Sequence, residues 1–467
     1  MKFTFIKSVT ILFSVVLAGS GLHAQEKGSG PTSLSLKQAV EYAVQNSVST
    51  RNATIDLELA KKKIWETTAI GLPQLSAQAN YQHLFTVPEL SLGGITFLDT
   101  ELPDGTPITA GDISNGNVFL GFEPSAPIQL GVKDNTTLDL TLTQLVFSGE
   151  YLVGLQASRV YYQMADQSQQ KAVVEIKELV ANTYSMVLML QQTHDKLKMS
   201  LTNVNLTLGE MREMLNQGLI ENTDVDQLEL TSLNITSTVN AIERQVTSAT
   251  NLLKFQMGMP LETQILLTDD IEILASASNL ESISGARFDL NRNIDLQILT
   301  TQEKLGELNL KREKSTYLPN LAAVYRHSEK VNQPAFDFTP KDVFQLSLNI
   351  PVFSSGQRMV KVQQRKMELD KVTNLRANVS QGLILEFETS KNNLQTAYED
   401  YLNNKRNIEL TNRIYEKTLI KYKEGLSSSM DLTNAQNQYL TAQTNYYKAV
   451  YALIQAKNKL DKLNNNL

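Results

Sequence analysis

The 467-residue sequence contains no cysteine, so it can form neither a disulfide bond nor a thiolate metal site. A lipid anchor on a cysteine side chain is excluded for the same reason. His83, His194 and His327 are far apart in the sequence and do not have the spacing of metal ligands. The sequence also lacks a nucleophile elbow, a phosphate-binding loop and a zinc motif. We therefore expect no enzymatic activity, no cofactor and no metal site.

An excess of basic residues is absent as well. The formal net charge is -6, which argues against a nucleic-acid partner. Proline is absent between Pro127 and Pro260 and again after Pro351. Because proline breaks the interior of a helix, these two spans permit very long helices.

The first 24 residues have the pattern of a secretory signal peptide. Lys2 and Lys7 precede a short apolar stretch, and Ala24 supplies the small residue at which cleavage is expected. An uncleaved membrane anchor is the alternative. No run of eighteen apolar residues follows Gln25, so no transmembrane helix is expected there. The exported protein then either remains soluble or enters a membrane through β-strands.

Short motifs recur in the same order in two halves of the chain, which we place at residues 25–258 and 259–467. Leu-Pro-Gln-Leu at 72–75 recurs as Leu-Pro-Asn-Leu at 318–321, and Val-Phe-Ser at 146–148 recurs at 352–354. Gly218-Leu219 recurs as Gly425-Leu426. The stretch of about 88–135 is rich in glycine, proline, aspartate and asparagine and is expected to be a long loop of the first half.

Each half is therefore predicted to contain a helix, two strands and two long helices joined by a turn. The strands are expected at about 74–86, 136–147, 320–328 and 342–353. The long helices are expected at about 150–217, 223–258, 356–424 and 430–463. In the last helix, apolar residues recur at alternating steps of three and four, which is a coiled-coil pattern; they are Leu432, Ala435, Tyr439, Ala442, Tyr446, Ala449, Leu453, Ala456, Leu460 and Leu463.

The strands at 138–147 and 344–353 have the length and the alternation of membrane-spanning strands. Leu138, Leu140 and Leu142 alternate with polar residues, as do Phe344 and Leu346. A half-buried sheet in a soluble domain would show the same pattern and remains an alternative. Four strands cannot close a barrel by themselves, and open edges in lipid leave backbone groups unpaired. If the strands span a membrane, several chains must share one barrel.

From about Leu36 to Leu463, the chain resembles the TolC-like outer-membrane efflux proteins. The resemblance rests on the duplication, on the Leu-Pro-Gln-Leu entry to the first strand and on the two Gly-Leu-x₄-Asp turns. The resemblance implies an α+β membrane protein with an internal two-fold repeat. It further implies a homotrimer in which three chains form a 12-stranded barrel in the outer membrane of a Gram-negative bacterium, surrounded by lipid. Long antiparallel coiled-coil helices would continue as an α-helical barrel in the periplasm.

In such a system the protein would be the passive exit duct of a tripartite efflux or type I secretion machine. The implied partners are a periplasmic adaptor (membrane fusion protein) and an inner-membrane transporter of the RND or ABC type. The rival interpretation is a secreted coiled-coil scaffold or adhesin without a pore. It accounts for the long helices but not for the strands.

The resemblance also implies a gate at the periplasmic tip, where the turns Gly218-Leu219 and Gly425-Leu426 lie. Asp431 matches an acidic constriction position, while the second carboxylate of the family is replaced by Asn434. Tyr422 and Asp224 match residues of the network that holds the entrance shut. At Ser427 the arginine of the family is missing, so a salt bridge through that position is not expected.

Helix capping is the alternative role for these aspartates. Thr223-x-x-Asp226 and Ser428-x-x-Asp431 have the spacing of capping boxes at the start of helices. A carboxylate in a first helical turn is also favoured by the helix dipole. The two roles can coexist.

Overall fold

The computed structural model describes residues 32–90, 93–97, 107, 120–124, 128–129, 131–276, 288–333 and 337–466. The expected signal peptide, 1–24, and much of the expected loop near 88–135 lie outside these ranges. Within the described ranges, no helix combines the length and the apolar character needed to cross a membrane.

The first half of the chain consists of the following elements: β1 (Thr32–Leu34), α1 (Leu36–Asn46), α2 (Val48–Ile70), β2 (Gln74–His83), β3 (Glu89–Leu90), β4 (Gly93–Phe97), β5 (Leu120–Pro124), β6 (Ile128–Gln129), β7 (Asp134–Ser148), α3 (Gly149–Asn216) and α4 (Asn222–Met257). The second half continues with β8 (Ile265–Leu267), α5 (Ile271–Ser276), a 3₁₀ turn (Leu290–Arg292), α6 (Ile294–Ser315), β9 (Asn320–Lys330), β10 (Asp342–Asn349), α7 (Gln357–Lys423) and α8 (Ser429–Leu463).

Helices α3 and α7 dominate the molecule, with 68 and 67 residues. At 1.5 Å per residue, each is about 100 Å long. In each half the long helix turns back into a shorter antiparallel one, α4 or α8, to form a hairpin. The apolar seam expected in α8 is buried: Leu432, Ala442, Tyr446, Leu453 and Leu460 are each nearly inaccessible to solvent.

A second face of α8 is buried too, which the heptad pattern did not indicate. Gln436, Gln443, Tyr447, Val450 and Ile454 are all buried. Besides α7, helix α8 packs on α3 and α4. The helix thus has one seam toward its hairpin partner and another, partly polar, toward the first hairpin.

Four strands form one antiparallel sheet in the order β10-β9-β7-β2. Leu142 of β7 lies opposite Leu75 of β2 and Tyr325 of β9, and Tyr325 lies opposite Phe344 of β10. A bulge between Leu145 and Phe147 shifts the register of β7 against β9. Strand β10 ends at Asn349, four residues before the expected end, and Pro351, which follows, has no backbone N–H to donate to a ladder.

The two faces of this sheet differ in polarity. Residues in direct register point to the same side of a sheet, so the register shows which side chains share a face. One face is mostly apolar and carries Leu75, Ala77, Ala79, Tyr81, Leu138, Leu140, Leu142, Ala323, Tyr325, Phe344, Leu346 and Leu348. The opposite face is mostly polar; it carries Ser76, Gln78, Asn80, Asp139, Thr141, Arg326, Ser328, Gln345 and Ser347.

Neither face of the sheet packs against a hydrophobic core. Every residue of β2 is exposed, and β10 is exposed at all but one position. On the apolar face, Leu75 is 74% exposed and Leu346 is 60% exposed. The two edge strands therefore differ from those of a half-buried sheet, while the central strands β7 and β9 are partly buried at most positions.

The buried core lies in the helices, in two clusters. One joins the middle of α3 to α1, β1, α5 and the C-terminal part of α8. There, Tyr184 is fully buried, with its Oη 2.8 Å from the Leu34 carbonyl oxygen, and burial raises the pKa of this phenol well above its usual value. The other cluster lies nearer the turns and joins α3 and α4 to α7 and α8.

The helices next to the sheet repeat the order of the strands. Helix α2 packs on α3, α3 on α6, and α6 on α7. Since β2, β7, β9 and β10 are neighbours in that same order, the sheet and the adjoining helical layer form one continuous wall. Strand β2 and helix α2 lie at one open edge of this wall, and β10 and α7 lie at the other.

Candidate functional site at the hairpin tips

The turns that end α3 and α7 have the same backbone geometry. Gly218 and Gly425 have positive φ angles of 71° and 70°. The N–H of Leu219 donates to the Met214 carbonyl at 2.9 Å, and that of Leu426 donates to the Lys421 carbonyl at 2.8 Å. Each turn is therefore a Schellman motif, which requires a residue tolerant of left-handed backbone after the helix. This requirement explains why Gly-Leu recurs at these two positions.

The second tip continues into α8 through a capping box. The Asp431 backbone N–H donates to Ser428 Oγ at 3.1 Å, and the Ser428 N–H donates to Asp431 Oδ2 at 3.2 Å. The expected Ser428–Asp431 box is thus confirmed. Hydrogen bonds from Ser428, with a further one from Ser427, hold the pKa of Asp431 below its usual value. Asp431 remains exposed to solvent, so capping leaves this carboxylate accessible.

The first tip is capped two positions earlier than expected. Helix α4 begins at Asn222, and its capping pair is Glu221 and Asp224, with the Glu221 N–H donating to Asp224 Oδ2 at 3.3 Å. The predicted box of Thr223 and Asp226 is wrong. Thr223 lies inside the first turn, where it cannot act as the N-cap, and Asp226 accepts a hydrogen bond from Asn222 Nδ2 at 3.0 Å.

The two tips are in direct contact. Ser429 Oγ donates a hydrogen bond to Asp224 Oδ1 across the boundary between the hairpins. Tyr422, at the end of α7, is only 7% exposed, and its hydroxyl has no hydrogen-bond partner in the described chain. Burial, and secondarily the charge of Asp224, raises the pKa of Tyr422 above its usual value. Asp224 and Tyr422, which the resemblance to the family assigns to one network, are therefore neighbours.

The remaining tip residues face solvent. Asn434 is exposed, one helical turn after Asp431, and Ser427 is partly exposed and hydrogen-bonds to Asp431 Oδ2 at 3.3 Å. The leucines of the two turns protrude, with Leu219 at 65% and Leu426 at 77% exposed. Ser429 was missed at the sequence level, because its partner lies 205 positions away and no local pattern connects them.

A groove of about 430 Å³ lies between the hairpins behind the tips. Residues of α3, α7 and α8 line it, with Tyr415 and Tyr439 stacked at 5.7 Å between ring centroids. At its edge, Lys423 Nζ of α7 lies 2.9 Å from Glu210 Oε2 of α3. This ion pair is a second link between the hairpins.

Histidine and acidic side chains do not form a metal-binding cluster of three or more anywhere in the described ranges. His83 and His327 instead pair with aspartates on neighbouring strands: each Nδ1 lies 2.7 Å from Asp134 Oδ1 or Asp342 Oδ1. Tyr81 and Tyr325 donate to the same two oxygens. The repeat thus extends to a Tyr-x-His and Asp arrangement that the sequence comparison did not detect, because the aspartates lie on the following strand.

Comparison with known proteins agrees with this architecture. Residues 290–466 match the family described as "Outer membrane efflux protein". No curated protein matches the chain in sequence. Among solved structures, the outer-membrane protein VceC of Vibrio cholerae shares 14% identity at a TM-score of 0.68, with 92% of this chain and 96% of that chain covered.

Two further channels have the same fold. The Campylobacter jejuni outer-membrane channel CmeC shares 14% identity at a TM-score of 0.70, covering 92% of this chain and 86% of that one. The Neisseria gonorrhoeae outer-membrane channel MtrE shares 13% identity at a TM-score of 0.66, covering 92% and 88%. The resemblance noted from the duplicated motifs is therefore confirmed: the chain has the fold of these channels, and residues 290–466 match the family of outer-membrane efflux proteins.

Proposed function

We propose that this chain is one protomer of an exit duct in the outer membrane. Its fold is that of TolC-like outer-membrane channels, and its second half matches the family of outer-membrane efflux proteins. Three copies would close a 12-stranded barrel, and their long helices would extend the tunnel into the periplasm. Substances would pass through a water-filled lumen without chemical change.

The observation that carries this proposal is the exposed sheet with one apolar and one polar face. In a membrane barrel, the apolar face contacts lipid and the polar face lines the lumen. The edge strands β2 and β10 have no partner beyond them in the four-stranded sheet. In lipid, unpaired backbone groups on such edges are too costly, so β10 of one copy must pair with β2 of the next.

The helical layer supports the same closure. Its outermost helices are α2 and α7, on the same two edges as β2 and β10. Both carry large apolar side chains that are exposed in the single chain, such as Ile55 and Leu59 on α2 and Met367 and Leu375 on α7. Contact between the two edges of neighbouring copies would bury these side chains.

The tips would form the periplasmic gate of the duct. Asp431 would contribute an acidic ring, while Asn434 leaves a second ring uncharged. Asp224 and Tyr422 would belong to the contacts around the entrance, between the turns of Gly218-Leu219 and Gly425-Leu426. Ser427, where the family has an arginine, would supply no salt bridge there. A periplasmic adaptor would engage the exposed leucines and the groove between the hairpins, and an inner-membrane transporter of the RND or ABC type would supply the energy.

Cysteine cross-linking can test the trimer, and the chain is suited to it because it has no native cysteine. Ala77→Cys on β2 would be combined in turn with Phe344→Cys, Leu346→Cys and Leu348→Cys on β10. All four positions lie on the apolar face at opposite edges of the sheet. In outer membranes treated with an oxidant, at least one pair is expected to give a closed covalent trimer on denaturing gels.

The matched control combines Ala77→Cys with Ser347→Cys, which lies on the polar face and cannot reach the same side of the sheet. The rival function, a secreted scaffold, predicts no cross-linked species and a monomer that is stable without detergent. That result would refute the duct.

Asp431→Ala is expected to weaken block of the channel by divalent cations, because it removes the acidic ring. The matched change, Asn434→Asp, adds a carboxylate one turn away and is expected to strengthen the block. Both are measured as the Mg²⁺ concentration that halves the current through purified trimers in planar bilayers. Since Asp431 also caps α8, Ser428→Ala serves as the control for lost capping. Equal blocking concentrations in all variants would contradict the gate assignment.

A pH dependence follows from the lowered pKa of Asp431. A carboxyl group whose pKa is depressed in the folded state stabilises that state above its usual pKa. This stabilisation is lost as the pH falls through the depressed value. The cap of α8 is therefore intact at neutral pH and weakens only in acid.

A further inference from the structure

Three consecutive serines follow the second tip turn, and each makes different contacts. Ser427 Oγ lies 3.3 Å from Asp431 Oδ2, within its own loop. Ser428 is the N-cap of α8. Ser429 makes the one contact of the three that leaves the second hairpin, because its hydroxyl donates to Asp224 Oδ1 of the first.

The position of Ser429 allows this bond to join the starts of two helices that belong to different hairpins. Ser429 is the first residue of α8, and the residue is 7% exposed. Asp224 is in the first turn of α4, where its other oxygen, Oδ2, accepts from the Glu221 N–H. The carboxylate therefore holds the start of its own helix with one oxygen and the other hairpin with the second. A hydrogen bond to a charged acceptor is stronger than one between neutral groups.

The other link between the hairpins near the tips is weaker. Lys423 and Glu210 are both about half exposed, at 49% and 54% of their side chains. Ion pairs between exposed, flexible side chains contribute little, because solvent screens them and ordering costs entropy. The part-buried bond between Ser429 and Asp224 is therefore the stronger of the two polar ties between the hairpins near the tips.

Tyr422 lies near Asp224 without joining this bond. Its ring is buried, while its hydroxyl has no hydrogen-bond partner in the described chain. The ring can exclude water from the neighbourhood of Asp224, which strengthens the bond that Ser429 makes there. Its hydroxyl adds nothing to the tie within one chain.

We propose that Ser429 is the residue that holds the second hairpin closed against the first, through Asp224. The resemblance assigns this task to position 427, which is an arginine in the family and a serine here. In this chain the tie has moved two residues, to the start of α8, and depends on one hydroxyl. The inference rests on the proposed function, since a gate has meaning only in a duct.

Alanine substitution of each serine tests the proposal. Purified trimers carrying Ser427→Ala, Ser428→Ala or Ser429→Ala would be compared with wild type in planar bilayers. Ser429→Ala is expected to raise the open probability roughly tenfold, and Asp224→Ala to raise it similarly. The double substitution should add little more, because both single changes break the same bond.

The controls separate closure from folding. Ser427→Ala should behave as wild type, and Ser428→Ala should lower the melting temperature without opening the channel, because it removes only the cap. Equal open probability for Ser429→Ala and wild type would overturn the proposal. So would an increase of the same size for Ser427→Ala.

Hydrogen exchange provides a readout that needs no current. In Ser429→Ala trimers, amides at 221–226 and 425–432 should exchange roughly tenfold faster than in wild type or Ser427→Ala. If amide exchange is faster in Ser429→Ala but the protein never conducts current, the duct is refuted and the bond between the hairpins is supported. Unchanged exchange in a protein that conducts would refute the tie and leave the duct intact.

Discussion

Replacing Leu346 with arginine is expected to keep the chain out of the outer membrane, whereas the same change at the adjacent Ser347 is expected to be tolerated. Leu346 lies on the apolar face of β10, in direct register with Ala323, and Ser347 lies on the polar face. An arginine in the lipid-facing band of a barrel costs about 2–4 kcal/mol near the midplane, and a trimer would incur this cost three times. An arginine facing a water-filled lumen keeps its hydration.

The measurement is the amount of trimer in the outer-membrane fraction, resolved on denaturing gels with and without heating. Leu346→Arg should leave little or no trimer there, and Ser347→Arg should leave near wild-type amounts. The pair is informative because both changes add the same residue to the same strand, one position apart. Equal amounts of trimer from the two variants would mean that the faces of the sheet are not separated between lipid and water.

Gly258→Ala is expected to cause the largest loss of stability among single glycine substitutions at helix ends. Gly258 ends α4 with a φ of 73°, a conformation that costs other residues about 1–2 kcal/mol. An added Cβ would also overlap the carbonyl oxygen of Asn46 and lie 3.0 Å from its carbon. Because these atoms belong to the backbone at the end of α1, no side-chain rotation can relieve the overlap. We expect a total cost of at least about 2–3 kcal/mol from strain and overlap together.

Gly218→Ala is the matched control. Gly218 has nearly the same φ, 71°, but nothing lies within 4 Å of the position of an added Cβ. Its substitution should cost only the conformational strain, about 1–2 kcal/mol. Thermal unfolding of detergent-solubilised protein, followed by circular dichroism, should show a clearly larger fall in midpoint for Gly258→Ala. Equal falls would mean that the contact between α4 and α1 can open without cost.

Much of the fold could be predicted because its signals are periodic and local. The alternation of Leu138, Leu140 and Leu142 with polar residues corresponds to the two faces of β7. The seam that begins at Leu432 and Ala435 is buried, as its steps of three and four indicate. Gly218 and Gly425 have the positive φ angles that a helix-ending turn requires. In each case a short stretch of chain determines its own conformation.

The candidate site could be predicted only in part. Asp224, Tyr422 and Asp431 lie at the tips, and the Ser428–Asp431 cap is present. The box expected at Thr223 and Asp226 is wrong by two residues, because α4 begins at Asn222 and its capping pair is Glu221 and Asp224. Ser429 resembled any other serine, since its role depends on Asp224 in the other half of the chain.

Side-chain chemistry and its period along the chain were enough to establish long helices, alternating strands, a duplicated layout and glycine turns, because these depend on neighbours a few residues away. Tertiary structure alone decided which strands and helices form the open edges, which second face of α8 is buried, and that Ser429 meets Asp224. Those outcomes depend on how the two halves pack against each other, and residues some 200 positions apart carry no local trace of that contact.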